Sequence, residues 1–108
     1  LAPYLNGAAL CLCATGMTTY EALAAGVPVA MCGISENHDR TSCALEERGV
    51  GKNIGLWNEV TVDKIRLTIG LMLQENKLWI EYSRCARGMV DGLGSHRVAE
   101  KIVKLLEE

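Results

Sequence analysis

The sequence predicts an α/β fold, a parallel sheet between layers of helices, and three observations carry that reading. Two short apolar runs, residues 8–14 and 27–32, are continuous rather than alternating, as strands buried on both faces read. Each is followed by a polar turn and a stretch with helical spacing, so strands and helices alternate along the chain. The composition suits a packed core: of 108 residues, 49% are hydrophobic and 22% charged, near the average for soluble globular proteins and far from that of disordered chains. This length sets one domain as the upper bound.

The first strand spans residues 8–14 and ends at Thr15 and Gly16. A helix is expected over 18–25, with Thr18 as N-cap, Glu21 three residues later completing a capping box, and Gly26 as its stop. Pro28 bars continuation, and a second strand runs over 27–32 to Gly33. Past a loop at 33–37, residues 39–48 have helical spacing with Cys43, Ala44 and Leu45 inward, closed by Gly49. Residues 50–56 supply a third, weaker strand. Thr61 caps a helix over 61–74, whose apolar positions include Val62, Ile65, Ile69 and Met72. Residues 78–89 form another helix, and Ser95 caps a last one reaching 106, with Val98, Ile102, Val103, Leu105 and Leu106 as its apolar positions. The chain has no Phe, so Leu, Val, Ile, Met, Ala and Cys build the core, and Trp57 and Trp79 are expected to pack within it.

Three strands are few for such a sheet. The first run needs a neighbour on its other edge, which the few residues before it cannot supply. Upstream strands are therefore expected to be missing from this chain or to come from a partner, and a first residue that is Leu rather than Met fits a fragment. Eleven Lys and Arg oppose 13 Asp and Glu for a net charge of -2, without a basic cluster, so neither nucleic acid nor an anionic membrane is an expected partner. No apolar run approaches the roughly 20 residues of a membrane span. The five cysteines are odd in number and form no C-x-x-C pair, which points to a reducing, cytoplasmic setting with Cys as a small buried hydrophobe. Cys13, Cys32, His38 and Cys43 have the spacing of no closed zinc site, so neither a metal nor a cofactor is expected.

In open parallel sheets, ligands bind beyond the carboxyl ends of the strands. Two loops qualify. In the first, Ala14, Thr15, Gly16, Met17, Thr18 and Thr19 join a strand to a helix start, where backbone N–H groups and Thr hydroxyls suit a phosphate or diphosphate. An ordinary strand-to-helix turn with a Thr cap fits these residues equally well. The loop is neither a P-loop nor a dinucleotide fingerprint. Glu21 reads either as the capping carboxylate or as an acceptor for two ribose hydroxyls. The second loop, residues 33–40, places Asn37 and His38 among polar neighbours as a pocket wall. His38 has no partner nucleophile or metal motif, so binding is favoured over catalysis and no residue is assigned as catalytic.

The run from Ala14 through Thr18, Glu21 and Gly26 to Pro28, with Glu36, Asn37 and His38 in the next loop, resembles the C-terminal domain of GT-B-type nucleotide-sugar enzymes. The shared pattern is a small or Gly-rich loop, Thr-x-x-Glu, Gly-x-Pro and a polar loop ending in Asn-Gln. It occurs in the lipid II-forming N-acetylglucosaminyltransferases (glycosyltransferase family 28). It also occurs in UDP-sugar hydrolases of pseudaminic-acid synthesis and the related spore coat polysaccharide biosynthesis proteins. The segment Gly49 to Gly55 resembles the second group more closely, and residues 3–106 can be laid along this half-domain.

The resemblance implies a three-layer, Rossmann-like sheet, the C-terminal half of a GT-B C-terminal domain. It implies that residues 14–19 hold the diphosphate of a UDP-linked sugar, that Glu21 holds the ribose, and that Asn37 and His38 border the sugar. Thr15 stands where these enzymes usually carry Gly and is expected to crowd the phosphates; His38 stands where Gln is usual. The catalytic residues of such enzymes lie mainly in an N-terminal domain. The chain thus reads as the nucleotide-sugar-binding part of a surface-glycan enzyme, with hydrolysis preferred over transfer, inactive without its upstream domain. The competing reading is a non-catalytic domain that forms a homodimer through its open sheet edge.

Overall fold

Residues 1–108 are described by a computed structural model, and Val29–Gly33 lies at its centre. The elements in order are α1 (Ala2–Leu5), β1 (Cys11–Ala14), α2 (Met17–Ala24), β2 (Val29–Gly33), α3 (Glu36–Glu47), β3 (Gly51–Leu56), α4 (Val62–Gln74), α5 (Asn76–Met89) and α6 (Gly94–Glu107). All three strands are parallel, in the order β1-β2-β3, with Cys11 opposite Val29 and Val29 opposite Gly51. This is the expected α/β architecture. Alternate β2 side chains separate the two faces. Val29 and Met31 pack with Ala22 and Leu23 of α2 and Leu45 of α3, while Ala30 packs with Ile54, Met72 of α4 and Tyr82 of α5.

Two details of β3 follow from this packing. Gly51 crosses so close to β2 that a Cβ there would lie 1.9 Å from the Val29 carbonyl oxygen. Further along, the register shifts between Met31 and Cys32, and the Asn53 side-chain oxygen accepts the Gly55 N–H at 3.0 Å across the irregularity. Gly55 adopts φ +121°, which favours glycine. The α5 helix serves both faces, with Tyr82 in one cluster and Ala86 in the other, and its Ser83 hydroxyl donates to the Gly26 carbonyl at 2.6 Å. Trp79 donates its indole N–H to the Ala9 carbonyl.

Several expectations need correction. The first strand begins at Cys11 rather than residue 8, and its exposure alternates, with Leu12 and Ala14 exposed. It lies at the sheet edge with one face open, so its continuous hydrophobicity does not mean burial on both faces. The α2 helix opens one residue early, and Gly16 rather than Thr18 is its N-cap. Thr19, not Glu21, closes the reciprocal contact, because its hydroxyl lies three residues past the cap and accepts the Gly16 N–H at 3.1 Å. The α3 helix starts at Glu36 because the Ser35 hydroxyl accepts the His38 N–H, which draws Asn37 and His38 out of the loop into the first turn.

At the other end of the chain, α6 begins at Gly94 after Leu93, with Ser95 inside its first turn. Trp57 is exposed rather than packed in the core. Short α1, which sequence periodicity did not suggest, starts with Pro in its first turn and buries Leu5. No helix is long and apolar enough to cross a membrane.

Candidate functional site

The carboxyl ends of all three strands open on one side of the sheet, where α2 and α3 begin. Backbone hydrogen bonds join these exits: the Thr15 N–H donates to the Cys32 carbonyl at 3.0 Å, and the Trp57 N–H to the Gly33 carbonyl at 2.9 Å. Side chains bind the first exit to α3. The buried Ser42 hydroxyl donates to the His38 carbonyl at 2.9 Å, so the Thr15 hydroxyl must be the donor in its own contact with Ser42. Asn53 adds a third link by donating to Asp39 at 3.2 Å. The β1–α2 loop and strand β3 are therefore both tied to the first half of α3 by side chains beneath the strand exits.

Thr15 is buried with its hydroxyl on Ser42, so its side chain turns away from the open face of the loop. Ala14 is exposed at the end of β1, and Gly16 gives its N–H to Thr19. Thr19 is fully buried, so its hydroxyl serves the loop rather than a ligand. Met17 and Thr18 occupy the first helical positions, whose N–H groups have no intrahelical acceptor. These two N–H groups, with the half-buried Thr18 side chain, are what this loop offers to an anion.

Glu21 lies exposed a turn further along, beside a cavity of about 320 Å³ lined also by Leu5, Asn6 and Ala25. It stands on the side of α2 that faces α1. Asn37 is exposed in the first turn of α3, next to His38, whose Nδ1 is buried without a hydrogen-bond partner. Ser42 and Asn53 are the positioning residues that pattern reading passed over, and Thr19 turned inward instead of toward a ligand. Ser42 and Thr19 lie on inward helix faces, where a small hydroxyl looks the same in sequence as a surface one.

Burial, reinforced by neighbouring Cys13, pushes the Cys11 thiol up to about 11 from its ordinary 9.0, so it carries no thiolate near neutrality. No three His, Cys, Asp or Glu side chains gather as a metal-binding set.

Among solved structures, one similar chain is "Spinosyn Forosaminyltransferase SpnP", which superposes with a TM-score of 0.78 over 99% of this chain at 18% sequence identity. The fold matches part of a GT-B glycosyltransferase. At this identity the likeness concerns the fold alone, and the chain spans 28% of the length of that glycosyltransferase. No protein-family model matches the chain. No curated protein matches it.

Proposed function

We propose that the chain is the nucleotide-sugar-binding part of a GT-B enzyme of surface-glycan synthesis, a UDP-sugar hydrolase or transferase, acting with an upstream domain. The carrying observation is that two helices begin at the ends of adjacent parallel strands, with the loop before the first tied to the second through Thr15, Ser42 and His38. The N–H groups of Met17 and Thr18 receive the diphosphate, where the helix-end field offsets the charge that grows on the leaving nucleoside diphosphate. Glu21, one turn on, takes the ribose hydroxyls, and Asn37 with His38 borders the sugar from α3. The fold shared with a glycosyltransferase supports this arrangement.

Titration of UDP and UDP-N-acetylglucosamine into the protein, followed by calorimetry, is the test. Glu21→Ala should weaken both by about 1 to 3 kcal/mol, the usual range for a lost hydrogen bond to a charged group. Unchanged affinity would remove the ribose assignment. A second reading, a domain that dimerises through its sheet edge, draws on half-exposed Leu12 of β1, whose outer edge has no strand partner. A stable dimer in sedimentation, with no nucleotide affinity, would favour it.

A further inference from the structure

Each strand exit carries one exposed apolar side chain: Met17 after β1, Ile34 after β2 and Trp57 after β3. Trp57 is the odd member. Trp is on average a highly buried residue, yet its side chain is 63% exposed and joins neither core cluster, while its backbone is pinned to the Gly33 carbonyl. The backbone therefore fixes where the ring is rooted on the rim, and most of the residue stays open to solvent.

We infer that Trp57 is a stacking platform for the sugar of the bound nucleotide sugar, an inference that rests on the function proposed above. Direction decides which part of the ligand it meets. Glu21 lies toward α1, while Asn37 and His38 begin α3, which packs on β3, so a ribose held at Glu21 leaves the sugar to the side of Asn37, His38 and the β3 exit. Neighbouring strands are about 4.8 Å apart, which places the β3 exit roughly 10 Å from the β1 loop, a span that a hexosyl diphosphate covers. An indole face there buries the apolar C–H side of a pyranose ring while leaving the sugar hydroxyls to Asn37 and His38.

Intrinsic fluorescence separates the outcomes, because the chain has two Trp residues and Trp79 sits elsewhere, bonded to Ala9. UDP-N-acetylglucosamine should change the emission and UDP should not, and Trp57→Phe should remove most of that change. In calorimetry, Trp57→Ala should lower UDP-N-acetylglucosamine affinity by about tenfold with UDP affinity unaltered, and Trp57→Phe should recover part of the loss. The exposed position leaves the variant folded, as a thermal melt would verify. An unaltered ratio of the two affinities in Trp57→Ala would overturn the platform while leaving the binding function intact. Failure of the unmodified protein to bind either ligand would overturn both.

Discussion

Thr15 shows how a single hydroxyl ties the two strand exits together. Its proton goes to Ser42 and the Ser42 proton to the His38 carbonyl, so the chain of donors runs one way, from loop to helix. Removing either end has unequal consequences. Thr15→Val leaves Ser42 with a lost donor but its own bond intact, whereas Ser42→Ala strands the buried Thr15 hydroxyl. We expect Ser42→Ala to cost about 1 to 3 kcal/mol of stability in urea unfolding and Thr15→Val less. The double variant should cost less than the sum, since it removes the stranded group together with its partner. Additive losses would show that the two hydroxyls act independently.

Gly51 carries the corresponding argument for a whole element. Because a Cβ there would meet the Val29 carbonyl oxygen at 1.9 Å, Gly51→Ala must push β3 away from the central strand and should cost upwards of roughly 3 kcal/mol. Gly70, inside α4 with nothing within 4 Å of its hypothetical Cβ, is the control. Gly70→Ala should raise stability by about 0.5 to 1 kcal/mol, the helix propensity difference. Equal effects at the two glycines, measured as urea midpoints, would contradict the close approach.

The same elements show what patterns in the sequence could reveal. The strand–helix alternation and the stops at Gly26, Gly33 and Gly49 were legible because apolar runs and glycines report on local backbone needs. The caps were not. By sequence Thr18 reads as the helix start, and only the inward turn of Thr19 onto the Gly16 N–H moves the cap to Gly16. The six-residue stretch from Ala14 to Thr19 was thus legible as a strand-to-helix loop, but not the division of its side chains between inside and outside. That division depends on Ser42, 27 positions from Thr15, and a contact so distant leaves no mark on local spacing.

Across the whole molecule, the chain measures 56 × 30 × 25 Å, and α6 is the one helix that buries no residue. Its apolar stripe of Val98, Ile102, Leu105 and Leu106 is exposed, although the sequence alone marks it as amphipathic as any core helix. Its first turn is tied to the preceding linker by the Arg97–Asp91 ion pair, and the Arg97 guanidinium, helped by the Leu93 N–H, holds the Asp91 carboxyl below the usual range. That exposed pair adds little to stability. Since burial, rather than helix propensity, stabilises most helices in proteins, α6 should be dispensable to the fold of the other elements. Deleting residues 95–108 should shift the free energy of unfolding by no more than about 0.5 kcal/mol, the range of surface changes. The same deletion should lower binding of an apolar dye, because it removes the exposed stripe. A loss of roughly 2 kcal/mol or more would mean that α6 lies against the sheet layers in solution and completes their core.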